Sequence, residues 1–258
     1  MRIFRISKIL LTSILLSTLP VKAAGQADIA DADHRPIVVD TCLSIAIDLH
    51  DRGKYDELVE YSRQILAADS EHFELMVYEV MAGILGDSPD EYIDACLNDT
   101  SGSLLSRLRR VALLTTMARC KTALDSANAL AADYPENSWI VLWQGISAND
   151  LGQLSLALRF FAEAARDSSV YWRSIKNEAF LRLDLGQFEK ADSLASRLLE
   201  HPVFAYAGEQ IKARANWITG DWRQAVKQLE LASKRLSDPF MYCNLARTFR
   251  YLGRYSEA

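Results

Sequence analysis

Apolar residues along most of the chain recur at spacings of three, four and seven positions, which marks one face of an amphipathic α-helix. These stretches come in pairs, and a glycine often stands between the two members of a pair. Glycine suits that place because the residue that ends a helix commonly needs a positive φ, which glycine adopts without strain. The pattern therefore predicts an all-α fold made of helix pairs.

The glycines between the predicted helices are regularly spaced. Six of the 11 glycines follow intervals of 33, 66, 34, 34 and 33 residues: Gly53, Gly86, Gly152, Gly186, Gly220 and Gly253. The interval of 66 is twice 33, so one member is missing near residue 118, where Ala118 stands. A fixed period of this length is typical of a stacked repeat array.

Other residue types recur with the same period. A large side chain stands two positions after most turns, at Tyr55, Leu154, Phe188, Trp222 and Tyr255. An alanine stands five positions after most turns, at Ala123, Ala157, Ala191, Ala225 and Ala258. We expect the alanines to let the two helices of a pair approach closely, and the large side chains to fill the wedge between neighbouring pairs.

This pattern resembles the tetratricopeptide repeat, a helix–turn–helix unit of about 34 residues. The match is best in the last unit, at Tyr242, Leu245, Ala246, Phe249, Gly253, Tyr255 and Ala258. It covers residues 39–258, or about seven units. The second unit is degenerate, because Pro89 and Glu91 stand where its second helix should begin and residues 98–103 read as a loop.

The resemblance implies the architecture of the whole array. It predicts a right-handed superhelical solenoid of stacked antiparallel helix pairs, whose concave side is lined by the first helix of every unit. The last unit is incomplete, because only the beginning of its second helix is present, so we expect the array to continue past Ala258.

The N-terminal residues have the features of a secretory signal peptide. Basic residues precede an apolar stretch at Ile9–Leu19, and small residues follow it, so cleavage between Ala23 and Ala24 is expected. The segment is shorter than the roughly 20 apolar residues of a spanning helix, although an uncleaved membrane anchor remains the alternative. We therefore expect a signal peptide at 1–23, a flexible segment at 24–38, and an exported bacterial protein that is periplasmic or secreted.

Removal of the signal peptide would make the chain more acidic. The full sequence has a formal net charge of −5, and residues 1–23 contribute four basic and no acidic residues, so the mature charge would be −9. Such a charge repels nucleic acid and anionic lipid, which excludes both as general partners.

Catalytic and metal-binding motifs are absent from the sequence. It contains no H-E-x-x-H, G-x-S-x-G, Walker A or G-x-G-x-x-G motif, and its histidines lack metal-ligand spacing. The four cysteines are widely spaced, so buried free thiols are expected, with a Cys96–Cys120 bridge as the alternative. We expect no enzymatic activity, no cofactor and no metal.

The resemblance also implies which residues face a ligand. Carrying the ligand-facing positions of the family over to units four to seven gives a set that mixes cations with aromatic residues: Trp139, Arg173, Lys176, Phe180, Arg214, Trp217, Arg247, Arg250 and Tyr251. Arginine and aromatic side chains are common anchors of interfaces. The alternative is that these residues pack against neighbouring units, with the arginines paired to Asp150 and Asp184.

Two functions fit the sequence. The first is a non-catalytic scaffold that binds a peptide or protein segment, for which an acidic one is suited, in its concave groove outside the cytoplasm. The second is the partner-binding or sensory region of a longer enzyme or receptor, whose catalytic part lies beyond Ala258.

Overall fold

The computed structural model describes residues 41–201, 203–235 and 239–254, with side chains omitted for 233–235, 239–241 and 243. Within these ranges the chain forms thirteen α-helices and no strand. In chain order they are α1 Thr41–Asp51, α2 Tyr55–Ala68, α3 Phe73–Leu85, α4 Pro89–Leu97, α5 Leu104–Thr116, α6 Cys120–Asp133, α7 Ser138–Asp150, α8 Leu154–Ala164, α9 Tyr171–Asp184, α10 Phe188–Glu200, α11 Ala205–Thr219, α12 Trp222–Arg235 and α13 Pro239–Tyr251.

Consecutive helices pack in pairs, and each pair packs on the next. We call α1–α2 unit one, α3–α4 unit two, and so on to α11–α12 as unit six, with α13 as the first helix of unit seven. The first helix of each unit also contacts the first helix of its neighbour, from α1 and α3 through to α9 and α11. The fold is therefore the all-α solenoid that the glycine period predicts.

Several local features follow the predicted pattern. Residues 98–103 form a loop between α4 and α5. Helix α4 has only nine residues and begins with Pro89, which fits a first helical position because proline lacks the N–H that would be unpaired there. The predicted signal peptide, the segment 24–38 and Tyr255–Ala258 lie outside the described residues.

Most turn glycines have the predicted conformation, but one does not. Gly53, Gly152, Gly186, Gly220 and Gly253 all have a positive φ, between 68° and 85°. Gly86 is the exception, because its φ of −71° and ψ of −171° are extended backbone that any residue adopts. A Cβ there would lie 2.5 Å from Oδ1 of Asp56, so the exposed side chain of Asp56 would have to move to make room for it.

Ala118 takes the place of the missing glycine and keeps the glycine conformation. Its φ is 57°, and it is the one non-glycine residue in the described ranges with a positive φ. The left-handed conformation costs an L-residue about 1 kcal/mol. The repeat geometry has therefore been kept at unit three although the residue that suits it has been lost.

Replacing Ala118 by glycine should therefore stabilise the protein. We expect Ala118→Gly to raise the free energy of unfolding by about 0.5–1 kcal/mol, because relief of the strained φ exceeds the entropy that glycine loses on folding. The measurement is urea unfolding followed by circular dichroism. The reverse change, Gly152→Ala, should lower the free energy of unfolding by a similar amount. Changes of the same sign in both variants would contradict this account.

A buried cluster of charges joins units one, two and three. Glu79 of α3 is only 1% exposed, and one of its oxygens, Oε2, accepts hydrogen bonds from Nε and Nη2 of Arg109 at 3.1 and 2.8 Å. The other oxygen, Oε1, accepts from the Tyr92 hydroxyl at 3.4 Å and lies 3.6 Å from Nε of Arg63. Burial raises the pKa of Glu79, although Arg109 opposes this effect. The carboxylate thus depends on its partners to remain ionised.

The remaining sequence expectations concern cysteines and membrane spans. Cys96 and Cys120 are free thiols, so the alternative of a Cys96–Cys120 bridge is wrong. Both Cys96 and Cys120 are buried, as expected for thiols that pack as small apolar groups. None of the helices in the described ranges is both long and apolar enough to cross a lipid bilayer.

Candidate ligand-binding surface

Three of the predicted ligand residues are buried at the beginnings of α7 and α9. Trp139 and Arg173 are 8% and 6% exposed, and Lys176 is not exposed at all. Trp139 and Arg173 contact the first turn of α3, a helix of unit two. The ring of Phe73 lies 6.0 Å from that of Trp139, centroid to centroid. The concave side is therefore not an open groove at this level.

An ion pair connects unit two with unit five. Nε of Arg173 donates to Oε2 of Glu74 at 2.6 Å, and Nη2 donates to the other oxygen, Oε1. The two residues are 99 positions apart, so the contact spans units three and four. Burial alone would lower the pKa of Arg173, but the Glu74 carboxylate raises it above its usual value, so Arg173 stays charged.

Lys176 lies beside this pair without a hydrogen bond. Among the described residues, no acceptor is within hydrogen-bond distance of its Nζ. That atom lies 5.9 Å from the centroid of the Phe204 ring, which gives a weak cation–π contact. Burial, together with the charge of Arg173, lowers the pKa of Lys176 well below its usual value, and Glu74 opposes the shift.

Two tyrosines fill the interior next to these charges. Tyr78 of α3 and Tyr206 of α11 are fully buried. Burial, and to a lesser degree Glu74, raise the pKa of Tyr78, so its hydroxyl stays neutral. Helix α3 is thus buried on every side, by its neighbours in sequence and by residues of units four, five and six.

The open part of the surface lies on α11 and α13. Arg214, Arg247 and Arg250 are exposed, and Tyr251 is 55% exposed. The ring of Tyr251 lies 5.9 Å from Trp217, centroid to centroid, so unit seven joins unit six there. The structure places Trp217 and Tyr251 in contact, and with them we group the three exposed arginines that the sequence predicts on the same two helices, as the C-terminal patch: Arg214, Trp217, Arg247, Arg250 and Tyr251.

The arginines of the C-terminal patch differ in their pairing. Arg214 lies 2.6 Å from Oδ1 of Asp184, measured from Nη2, but both side chains are about half exposed. Arg247 and Arg250 form no ion pair with any described residue. The pairing with Asp184 that the sequence offered as an alternative is therefore present for one arginine. Phe180, the ninth predicted residue, is half-buried against the core.

Charge is distributed unequally along the array. Residues 41–202 carry 15 basic and 25 acidic residues, whereas residues 203–254 carry nine basic and four acidic ones. The net charges are thus −10 and +5. The C-terminal patch lies in the basic part of an acidic protein, so it is the place where an acidic ligand would be attracted.

The residues that close the groove were missed by the sequence analysis. Glu74 and Tyr78 were not singled out, because the ligand-facing positions were carried over only to units four to seven, and Tyr206 of unit six is not at one of those positions. A signal was present in the stretch "FELMVYEVMAGIL", which is apolar on nearly all sides. A helix of that kind is buried all round, which predicts a covering element on its concave side.

The sequence and the structure were compared with known proteins. No protein-family model matches the sequence. No curated protein matches it either. Among solved structures, the chain is similar to one in the crystal structure of the APC/C hetero-tetramer Cut9-Hcn1, with a TM-score of 0.64 and 14% sequence identity. The match covers 84% of this chain and 43% of that chain, so the present chain spans less than half the length of the matched chain.

The fold is a tetratricopeptide-like helical repeat. In such a repeat the first helices of the units form an extended surface suited to protein partners. Arg214 and Arg247 occupy the same position of the tetratricopeptide-like unit, in units six and seven. In the part of the chain that the structure describes, no group of three or more His, Cys, Asp or Glu residues is arranged to hold a metal ion.

Proposed function

We propose that this protein is a non-catalytic scaffold, exported from the cytoplasm, that binds an acidic peptide segment on its C-terminal patch. The tetratricopeptide-like fold supports the general role, because stacked helix pairs present a long surface to a partner. The predicted signal peptide supports the location. An extended segment is the ligand that fits, since the patch runs across two consecutive first helices.

One observation carries the proposal. Arg247 and Arg250 are exposed cations without an ionic partner among the described residues, and they lie beside the exposed ring of Tyr251. Arginine binds a carboxylate through two parallel hydrogen bonds, and aromatic rings add contact area at little entropic cost. The +5 charge of residues 203–254 would also speed the approach of an acidic ligand.

The test is binding of a fluorescein-labelled hexaglutamate peptide, measured by anisotropy. We expect the triple variant Arg214→Ala, Arg247→Ala and Arg250→Ala to bind at least about tenfold more weakly than the wild type, a loss of about 1.4 kcal/mol or more. Binding to the wild type should also weaken as salt increases, because the contacts are exposed and ionic.

A matched control separates the patch from the overall charge. Lys190, Arg223 and Lys227 are exposed on α10 and α12, the second helices of units five and six. Changing these three to alanine removes the same charge from outside the patch and should leave the affinity within about twofold. Equal losses in the two triple variants would refute a specific site.

A further inference from the structure

Glu74 contacts Arg173 in the way that the carboxylate of a bound ligand would. Arg173 holds the carboxylate of Glu74 by two hydrogen bonds from one guanidinium, which is the usual geometry of carboxylate recognition. Glu74 comes from unit two, whereas Arg173 lies in unit five, on a helix that would otherwise face the groove. The acidic side chain of Glu74 thus lies where the repeat pattern predicts contact with a partner.

The same place contains a second basic side chain, which makes no hydrogen bond to this carboxylate. Lys176 stands one turn after Arg173 on α9 and is completely buried, yet its Nζ has no hydrogen-bond acceptor among the described residues. A buried polar group without a hydrogen-bond partner is costly. Glu74 bonds to Arg173 but not to Lys176, so the Lys176 amine can still accept a further hydrogen-bond partner.

We propose that Arg173 and Lys176 form a carboxylate-binding site, which Glu74 occupies in this structure and which an acidic segment on the C-terminal patch enters by displacing Glu74. This inference rests on the proposed function, because it assigns a second contact point to the same ligand. Glu74 is then an internal competitor of the ligand, and it keeps the groove closed in the absence of a partner.

Replacing the Glu74 carboxylate by that of a ligand changes the free energy of the contact with Arg173 little. Displacement replaces one carboxylate on Arg173 by another, so the desolvation of the arginine is not repeated. A buried ion pair adds little net stability, because much of its attraction offsets the loss of hydration. A ligand that also reaches Lys176 gives that amine the acceptor that it lacks. The remaining cost is the separation of the first turn of α3 from α7, including the contact of Phe73 with Trp139.

The first experiment measures how accessible Lys176 is when no ligand is present. Lys176 in the full chain is acetylated with a small amine-reactive ester, and its labelling rate is followed by mass spectrometry. We expect Glu74→Ala to raise the labelling rate of Lys176 at least tenfold, since release of α3 exposes the amine. Glu71→Ala removes an exposed carboxylate just before α3 and should not change the rate.

The second experiment measures binding of the labelled hexaglutamate peptide. We expect Glu74→Ala to bind the peptide about tenfold more tightly than Glu71→Ala, and Lys176→Met in the Glu74→Ala background to remove that gain. Lys176→Met alone should fold normally, because it replaces an unsatisfied buried amine by an apolar chain of similar length. If Glu74→Ala fails to fold, Glu74→Gln removes the charge while retaining the shape.

The outcomes distinguish this inference from the proposed function. A gain in Glu74→Ala that Lys176→Met removes supports the site. If the wild type binds the peptide through the C-terminal patch but Glu74→Ala binds no better than Glu71→Ala, the inference is overturned and the proposed function stands. If neither the wild type nor Glu74→Ala binds the peptide, both are overturned.

Discussion

Replacing Arg109 by alanine is expected to lower the free energy of unfolding by about 3–5 kcal/mol. The change leaves Glu79 almost completely buried, with the Arg63 guanidinium at 3.6 Å as its remaining cation. An uncompensated buried carboxylate must either keep its charge at high cost or take up a proton. Urea unfolding followed by circular dichroism measures the loss.

The neighbouring Arg107 provides the control. It lies on the same helix and also forms an ion pair, with Asp133 at 2.6 Å, but that pair is exposed on both sides. Exposed ion pairs contribute about 1 kcal/mol or less, so Arg107→Ala should have a small effect. Similar losses for the two variants would show that the burial of Glu79 does not decide the effect.

A double variant tests the physical cause further. If the cost comes from leaving a charge unpaired, changing Glu79→Met and Arg109→Met together should cost less than Arg109→Ala alone. Apolar residues of similar volume often replace a buried ion pair without loss of stability. A larger loss of stability in the double variant than in Arg109→Ala would mean that the ion pair itself stabilises the fold.

Replacing Asp150 by asparagine should stabilise the protein at neutral pH, by on the order of 2 kcal/mol. Burial raises the pKa of Asp150 from 3.8 to about 6, although a hydrogen bond from Asn149 opposes the shift. Its Oδ2 is buried without a hydrogen-bond partner among the described residues. An asparagine keeps the shape of the side chain and has no charge to desolvate.

The pH dependence has a definite sign. The folded state holds the proton of Asp150 up to about pH 6, whereas the unfolded state releases it near pH 4. The folded state therefore binds more protons in this window, and Asp150 lowers stability as the pH rises from about 4 to 6. Stability curves of the wild type and Asp150→Asn should coincide below pH 4 and separate above it.

Asp184 is the matched control for this prediction, because it stands at the same position of the next unit. It is half exposed and lies beside Arg214. Asp184→Asn should leave stability at pH 7 unchanged or slightly lower. A gain as large as that of Asp150→Asn would mean that the position in the repeat, rather than burial, decides the effect.

The two aspartates also show how far sequence reasoning reaches. The glycine period and the recurring alanines depend on contacts within a unit and with its neighbour, so they predict the helices, their pairing and the place of Ala118 at a turn between two helices. The same reasoning predicts the same environment for equivalent positions in different units. It cannot separate Asp150 from Asp184, because their difference lies in how completely the surrounding residues cover each side chain.

Long-range contacts limit the prediction of the site in the same way. Arg173 and Lys176 occupy ligand-facing positions in the repeat, yet α3 covers them. Whether the first helices of distant units meet depends on the winding of the whole array, which accumulates from small rotations at every unit. The C-terminal patch involves only neighbouring units, and two of its predicted residues, Trp217 and Tyr251, are in contact. That the whole set forms one ligand surface stays a prediction.

The bridge between Glu74 and Arg173 also changes how the array should fold. Most repeat proteins behave as one-dimensional chains, in which each unit is stabilised by its nearest neighbours alone. A contact across 99 residues cannot form early, because closing so long a loop in an unfolded chain costs entropy. Once units three and four have folded, they hold the two ends near each other and closure costs little. The bridge then couples units two and five directly, so the central units unfold together as one cooperative block while the outer units respond to their own neighbours.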